Sequence, residues 1–326
     1  MTVRGTQIAL GLFNETVYGQ APSPTPSGER AYIRTSGLRG EIAKIVDDTL
    51  AGRRGRQAGI NGNKNVAGGI QIHLAPQSSL RWLAHIIGTP TTTGVGPYKH
   101  VFAVGAGALA LPPGMTIEMD LGTTVGANRY IRFHGIRVRQ AQFTFGSSGF
   151  AAVNLDLLGS NFELATTPLD ATLDDHGHTA WSMFTATLQE GGAPIANVQQ
   201  LGVTWNNDLD EDTFVIGGGG VRGELPEGFV IVNGTMSTLF KDASLLQKGI
   251  SSTDTSLNLV LQNGTGAGTA GNEKFEMNIP HLRFAATTPE VQGPRGLRGQ
   301  YNWEAHANGV NEFAGAVTVD NARAAH

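Results

Sequence analysis

The order of segments in this chain occurs twice, and a duplicated pattern constrains the fold more than any other feature of the sequence. Each pass contains a short apolar strand, a turn or loop rich in proline or glycine, a further strand, a long glycine-rich segment, another strand, a helix and several alternating strands. The glycine-rich segments are 51–69 and 208–228. The two passes match in the order and type of their segments and share little identity. This pattern predicts two similar structural units.

The closing strands of each pass alternate apolar and polar residues. The run Val153-Asn154-Leu155-Asp156-Leu157 is an example, and such alternation is typical of a strand with one buried face and one polar face. Strands of this kind are predicted over 115–121, 130–145 and 150–158, and again over 256–261, 273–284 and 296–306.

Each pass also contains one predicted helix. Around 79–87, apolar residues recur at i, i+3, i+4 and i+7 from Leu80, which places them on one helical face. A serine precedes this segment as a possible cap, and Gly88 can end the helix. The second helix is predicted over 237–248.

The predicted fold is mainly β (α+β), with two tandem β-sandwich or barrel domains, each with one flanking helix and a long loop. The first domain is predicted over 1–165 and includes an N-terminal arm, 1–30. The hydrophilic segment 166–179 is predicted to be a linker, and 180–326 the second domain.

Composition excludes several classes of protein and site. The 45 glycines do not recur at every third position, which excludes collagen. The net charge of −4 provides no strong basic field for holding nucleic acid. The chain contains no cysteine, so disulfides and thiolate metal sites are excluded. The first residues lack the pattern of a signal peptide, and no apolar stretch approaches the roughly 18 residues of a membrane helix. We therefore expect a protein made in a cytoplasm, with no membrane partner.

The N-terminal stretch Asn14 to Pro24, NETVYGQAPSP, resembles the opening of the tail tube (major tail) proteins of long-tailed bacteriophages. In that family a short strand is followed by a Glu-Thr-x-Tyr-Gly-like turn and a proline-rich loop. Here Glu15, Thr16, Tyr18 and Gly19 occupy those positions. The subsequent order of long arm, strand, single helix and alternating strands is also similar.

This resemblance implies a structural, non-enzymatic virion protein without a cofactor. Tail tube subunits form stacked rings whose inner wall is a β-barrel shared between neighbours. A duplicated chain would form such a ring from three copies with pseudo-sixfold symmetry. The implied partners are further copies, a tape-measure protein, and the tail terminator and distal tail proteins. Double-stranded DNA would pass through transiently, and the tail would assemble in the host bacterial cytoplasm.

The first glycine-rich segment carries the densest basic cluster in the chain. We expect it to contact an acidic patch on another subunit; the alternatives are a solvated loop or contact with DNA phosphate. Exposed aromatic residues, which often accompany basic residues in nucleic-acid sites, are missing from the segment. The cluster comprises Arg53, Arg54, Arg56 and Lys64.

The second glycine-rich segment begins with alternating acidic residues, Asp208, Asp210 and Asp212. Their spacing resembles a calcium loop, but Thr213 and Gly219 stand where that loop needs glycine and glutamate. We therefore predict that this acidic surface receives the basic cluster of a neighbour. The later run 217–223, GGGGVRG, lacks the Gly-Lys-Ser/Thr ending of a phosphate loop and is predicted to be a flexible arm.

Two further clusters allow more than one interpretation. The segment 174–178, DDHGH, contains metal-ligand chemistry, but polar residues in a linker are commoner, and a metal would need another ligand. On a regular strand, Arg137 and Arg139 would share a face with Phe143 and Phe145, and that strand's polar face would meet a partner subunit.

Other functional classes also make predictions. A two-domain β-sandwich adhesin or receptor-binding protein is the main alternative, and it would expose aromatic residues at loop tips. The four tryptophans instead lie in predicted strands or a helix. An outer-membrane barrel would need an export signal and aromatic girdles. An enzyme would need a nucleophile with its base or a carboxylate pair, and linear spacing shows neither.

Overall fold

A computed structural model describes residues 4–22, 26–49, 54–55, 58–104, 111–291, 293–294, 296–308 and 315–324. Strands account for 48% of the chain and helices for 8%, which confirms the mainly β prediction. The strands of the first half are β1 (Ala9–Asn14), β2 (Glu29–Ala31), β3 (Thr35–Ser36), β4 (Arg39–Ile45), β5 (Ile60–His73), β6 (Thr91–Thr93), β7 (Tyr98–Ala103), β8 (Met115–Asp120), β9 (Tyr130–Gly146), β10 (Ala152–Gly159) and β11 (Asn161–Ala165).

The second half supplies the remaining strands, and each half carries one described α-helix. The helices are α1 (Leu80–Ile87) and α2 (Ser244–Ile250). The strands are β12 (Thr187–Glu190), β13 (Ala193–Pro194), β14 (Val198–Asn206), β15 (Ile231–Leu239), β16 (Thr255–Gln262), β17 (Lys274–Phe284), β18 (Arg298–Ala305) and β19 (Ala316–Asn321).

The same strand pairings recur in the two halves. The ladder β4–β5–β10–β9–β8–β1–β2 of the first half corresponds to β14–β15–β18–β17–β16–β12–β13 of the second. In addition, β9 pairs with β11 as β17 pairs with β19. All of these pairings are antiparallel. The two halves therefore share one order of backbone hydrogen bonding, which is independent of side-chain identity.

Two further pairings connect the halves directly. Strand β9 pairs with β14, and β7 pairs with β19. Strand β9 is long enough to join two parts of the first half: its beginning pairs with β8 and β11, and its end pairs with β10 and β14. One core cluster extends through both halves, and Trp82, Trp181, Trp205 and Trp303 lie in it with at most 3% exposure.

Helix α1 agrees closely with the sequence prediction. All eight of its residues are buried, and it ends before Gly88, whose φ of 135° favours glycine. Ser79 occupies the N-cap position, but its hydroxyl accepts a hydrogen bond from the Ala75 N–H (2.9 Å) and does not cap the helix. The hydroxyl therefore fixes the approach to the helix.

The second helix begins later than predicted. Residues 237–239, predicted to be helical, belong to β15, and α2 begins at Ser244. Within β15, Met236 and Thr238 are buried, and the strand pairs on both sides with β14 and β18. Tertiary pairing thus overrides the local apolar spacing of this segment.

The first glycine-rich segment is also more ordered than the sequence suggested. Residues 60–69, predicted as part of a loop, form the beginning of the 14-residue strand β5. They pair with β4 in a hairpin, and β10 pairs with the rest of β5 and overlaps the hairpin. The prediction treated glycine and asparagine as loop residues, whereas two neighbouring strands fix them in extended conformation.

Candidate assembly site

One face of the sheet that joins the halves is polar and carries almost no charge. On β9, β14 and β15, alternate residues are buried in the core, and the residues between them face outward. Over residues 140–146 of β9 and on β14 and β15, the outward residues apart from Ile231 and Leu239 are amide, hydroxyl or glycine residues: Gln140, Gln142, Thr144, Gly146, Gln200, Gly202, Thr204, Asn206, Asn233, Thr235 and Ser237. We call this surface the polar face.

The polar face continues onto the neighbouring strands. Asn154 on β10 and Gln300 and Asn302 on β18 are exposed beside it. Charged residues lie at its margins, where Arg139 donates to Asp156 at 2.6 Å and where the exposed Glu304 lies opposite both Asn233 and Arg283. The centre of the surface therefore offers hydrogen-bonding groups without a fixed charge.

A bulge corrects the predicted faces of β9. Arg137 and Arg139 were expected to share a face with the buried phenylalanines of the same strand. The register of β9 against β10 shifts by one residue at Arg139, so Val138 and Ala141 both face the core with 0% exposure. An extra residue in one strand changes the side-chain alternation beyond it.

The seam between the halves, β9 against β14, is built over apolar side chains. Phe143 lies opposite Val203 and Ala141 lies opposite Trp205. All four residues are at most 1% exposed. Because this core packs beneath the ladder, the polar face of the two halves forms one continuous surface.

The β4–β5 hairpin carries exposed apolar residues. Ile42, Ile45 and Ile60 are 37%, 54% and 66% exposed. Among the described residues, β4 pairs only with β5. Unpaired strand edges and exposed aliphatic residues together mark a surface that a further chain can cover.

The loop 207–230 between β14 and β15 is held against the first half by a buried arginine. The Arg222 guanidinium donates to the carbonyls of Glu211 (2.8 Å) and Gly159 (3.0 Å) and to Oδ1 of Asn65 (2.9 Å). Arg222 is 6% exposed. The run 217–223, predicted to be a flexible arm, therefore contains the principal anchor of its own loop.

A second anchor holds the end of this loop. Arg137 donates to the Leu225 carbonyl and to the Glu227 carboxylate, the latter at 2.6 Å. Burial by itself would raise the pKa of Glu227, but the Arg137 charge and hydrogen bond hold it below its ordinary value. Leu209 and Leu225 complete a small apolar cluster with Leu158.

The predicted contact residues have the following places in the structure. Arg53 and Arg56 lie outside the described residues, and Arg54 is exposed. Lys64 donates through its amine to Asn161 (2.7 Å) and through its backbone N–H to the Gly220 carbonyl (2.7 Å). It therefore contributes to the docking of loop 207–230.

The acidic residues lie on the exposed beginning of this same loop. Asp208, Asp210 and Asp212 are all exposed, and Asp210 accepts the Asp212 N–H at 3.1 Å. The structure describes no ion pair between these aspartates and Arg54 or Lys64. Contact between the two sets across subunits stays a prediction. Arg222 and Glu227, which sequence reasoning missed, gave no sequence signal beyond their place in a glycine-rich run.

The segment 174–178 is attached to the N-terminal arm. The Asp174 N–H donates to the Gly28 carbonyl at 2.8 Å, Asp175 accepts from Tyr32 and Arg30, and His178 stacks on Tyr32 at 5.0 Å. Within the described ranges, no three histidine, aspartate or glutamate residues are arranged to hold a metal ion. These side chains hold the predicted linker in place.

The Glu-Thr-x-Tyr-Gly-like turn is held by a buried carboxylate. Glu15 accepts hydrogen bonds from the Gly19 N–H (2.7 Å), the Thr116 hydroxyl (2.7 Å) and the Gly135 N–H (2.8 Å). Burial raises the pKa of Glu15, although these hydrogen bonds oppose the rise. The residues that carry the family resemblance therefore fix the N-terminal turn against β8 and β9.

Comparison with known proteins agrees with this geometry. The family model of phage tail tube proteins matches residues 5–305, nearly the whole chain. A search of curated proteins finds no match. None of the helices in the described part of the chain is long and apolar enough to cross a membrane. The extent of the family match shows that the chain belongs to the phage tail tube protein family.

Proposed function

We propose that copies of this chain form stacked rings whose shared sheet surrounds the path of DNA during ejection. Family membership makes the chain a structural component of the phage tail and implies a non-enzymatic role. The observation that carries the proposal is the polar face, which runs without interruption across both halves. We assign the polar face to the wall of the lumen.

The chemistry of the polar face suits a sliding surface. Lysine and arginine bind phosphates by releasing counterions, and each such contact adds to affinity. From Gln140 of β9 onward, and on β14 and β15, the outward residues include no lysine or arginine. Amide and hydroxyl groups remain hydrated and exchange hydrogen bonds readily, so DNA can move past them without a strong electrostatic trap.

The size of the sheet is compatible with such a conduit. The sheet follows the order β4-β5-β10-β9-β14-β15-β18-β17, so three copies would supply about 24 strands. With a spacing of about 4.8 Å and a tilt of about 40°, the closed backbone would have a circumference of about 150 Å and a diameter of about 48 Å. This diameter leaves room for a double helix inside the side chains.

The duplication supports the trimeric ring. The recurring pairings suit two tube-like domains, 1–165 and 180–326, joined by 166–179, in which β9–β14 acts as an internal version of the contact between subunits. We further propose that a tape-measure protein occupies the lumen during assembly, that tail terminator and distal tail proteins bind the two ends, and that assembly takes place in the host cytoplasm.

Electron microscopy of the purified chain tests this function directly. Negative staining at increasing protein concentration should show stacked rings or tubes. A dispersed monomer at high concentration would contradict the proposal.

Thiol labelling then tests which surface faces the lumen, because the chain has no cysteine of its own. Asn233→Cys on the polar face should react with a bulky polymer maleimide in the dispersed subunit and become protected in assembled tubes. Gln189→Cys, exposed on β12 in the other part of the sheet, is the matched control and should stay reactive in both states. Equal labelling of both positions in tubes would show that the polar face does not line the lumen.

A further inference from the structure

We propose that β4 of one copy pairs with residues 285–290 of the next, in the register that β14 and β9 use inside the chain. This inference rests on the proposed assembly into rings and identifies the two edges that meet. The partner is a second copy of this chain.

The internal repeat provides the template. Because the two ladders correspond strand by strand, β4 is equivalent to β14, and β17 is equivalent to β9. Within the chain β14 and β9 pair with each other. The equivalent strands β4 and β17 lie at opposite ends of the eight-strand order, so the same contact can form only between copies.

A pair of close glycines fixes the equivalence of β4 and β14. A Cβ on Gly68 would lie 2.2 Å from the Gly37 carbonyl oxygen, and a Cβ on Gly234 would lie 2.0 Å from the Gly202 carbonyl oxygen. The same close approach of two paired backbones therefore occurs once in each half. It equates Gly37, just before β4, with Gly202 of β14.

A bulge fixes the equivalence of β17 and β9. Both strands carry one extra residue against their neighbour, between Phe133 and Ile136 in β9 and between Ile279 and Leu282 in β17. Ile136 is thus equivalent to Leu282.

The second bulge of β9, at Arg139, also has a counterpart, just after β17. The pairing of β9 with β10 gains one residue between Val138–Leu157 and Thr144–Ala152, and the pairing with β18 gains one between Phe284–Trp303 and Glu290–Arg298. Placing this extra residue at Ala285, the equivalent of Arg139, makes Thr288 equivalent to Gln142 and Glu290 equivalent to Thr144.

The segment 285–290 continues β17 alongside β18. The Ala285 N–H donates to the Asn302 carbonyl (2.8 Å), and Glu290 forms a bridge with Arg298. In an antiparallel strand, successive residues direct their backbone groups to opposite sides. Counting back from Glu290, the equivalent of Thr144, the backbone groups of residues 287 and 289 face away from β18, as those of Ala141 and Phe143 face β14. Pro289 offers a carbonyl but no N–H on this side.

The edge of β4 is complementary to this row. The Gly37 N–H donates to the Gly69 carbonyl (2.7 Å), and Arg39 pairs with Ala67 of β5. By the same alternation, Leu38 and Gly40 direct their backbone groups away from β5, where the Leu38 N–H meets the Ser36 hydroxyl at 3.4 Å, a long contact. Each copy therefore has one open edge at β4 and another at residues 285–290. Two different edges are what a head-to-tail contact that closes into a ring requires.

The exposure of residues 285–288 indicates that a neighbouring strand is missing beside them in the single copy. Residues 285–288 are all exposed. The equivalent of Thr287 in β9 is Ala141, which is 0% exposed beside β14. A neighbour's β4 in the same place would cover Thr287 from the core side.

The template also gives the register. Inside the chain, Gln142 lies opposite Thr204. The equivalences above turn this pair into Thr288 opposite Arg39 of the next copy, and they place Ala286 opposite Glu41. These pairs face the lumen side and are not hydrogen-bonded to each other, so their Cα atoms should lie about 4.5 Å apart, within disulfide range.

Disulfide trapping in this cysteine-free chain tests the register. Four double variants combine Arg39→Cys or Glu41→Cys with Ala286→Cys or Thr288→Cys. Under mild oxidation the matched pairs, 39 with 288 and 41 with 286, should cross-link at least about tenfold faster than the mismatched pairs, whose Cα atoms would be about 7–8 Å apart or more. The double variant Gln142→Cys with Thr204→Cys has the same geometry inside one chain and sets the oxidation conditions.

The expected products on a denaturing, non-reducing gel are covalent oligomers that end at one closed size, which counts the copies in the ring. Mixing two single variants, Arg39→Cys and Thr288→Cys, should yield covalent dimers and no larger species. If wild-type protein forms tubes but the matched pairs cross-link no faster than the mismatched pairs, this seam is wrong and the tube function stands. If wild-type protein forms no rings or tubes, the proposed function itself fails.

Discussion

Replacing Arg222 with methionine should open part of loop 207–230 while the sheet stays folded. Methionine keeps an unbranched apolar side chain in the same place but removes the guanidinium. The three hydrogen bonds to Glu211, Gly159 and Asn65 are then lost. Hydrogen bonds from a charged donor contribute about 1.5–3 kcal/mol each, but the three form one set and their acceptors regain water, so we take about 3 kcal/mol for the whole set.

A loss of about 3 kcal/mol in the free energy of docking corresponds to about a 100-fold increase in the open population. Hydrogen exchange followed by mass spectrometry measures this population segment by segment. Amides in 211–222 should exchange about 100-fold faster in Arg222→Met. Those in 225–228 should change little, because Arg137 still binds the Leu225 carbonyl and the Glu227 carboxylate.

Arg54→Met is the matched control, since Arg54 is exposed and the same charge is removed. Its exchange pattern in 211–222 should equal that of the wild type. Protection of 211–222 that differs by less than about twofold between Arg222→Met and wild type would refute the role of Arg222 as anchor. Uniform loss of protection throughout the sheet would refute the claim that the loop opens independently.

Three further predictions concern stability. Trp205→Ala removes a 1% exposed side chain beneath the seam and should cost about 3–5 kcal/mol in chemical unfolding, whereas Phe184→Ala, at an 80% exposed position, should change stability little. A Cβ in Gly234→Ala would meet the backbone, so this variant should lose about 1–3 kcal/mol and melt earlier; Gly296→Ala enters open space and should not. Burial alone would raise the pKa of Glu29, but its arginine partners lower it. The ionised Glu29 carboxylate therefore stabilises the fold above pH 4.5, and this stabilisation is lost as pH falls through the folded-state pKa. The stability gap between wild type and Glu29→Gln should accordingly narrow on acidification, and a constant gap would contradict this reading.

The buried position of Glu29 explains why its protonation matters. Its carboxylate lies between Arg81, whose Nη2 donates to Oε1 at 2.7 Å, and Arg323 near the C-terminus. The exposed fractions of the Glu29 and Arg81 side chains are 4% and 7%. Losing one charge of such a cluster leaves the others poorly solvated, so the cost is larger than for a surface ion pair.

Part of the assembly site could be predicted from sequence. Alternation over β9, β14 and β15 distinguishes residues on the buried face from residues on the polar face, and the outward positions are visibly rich in amide and hydroxyl groups. Sequence reasoning did not find Arg222 as an anchor, because a lone arginine in a glycine-rich run has no local signature. Its three acceptors come from Gly159, Asn65 and Glu211, and the first two are far away in the chain.

The sequence by itself determined the local features of this protein: the alternating strands, helix α1, the burial of the four tryptophans and the repeated order of segments. These depend on the period of the backbone, which covalent geometry sets within a few residues. Tertiary structure decided which strands pair, so only it could extend β15 over a segment predicted as helix and place a bulge at Arg139. It also decided that β9 meets β14 and that β4 is left at an edge, because a register between distant strands is selected by the packing of both faces at once.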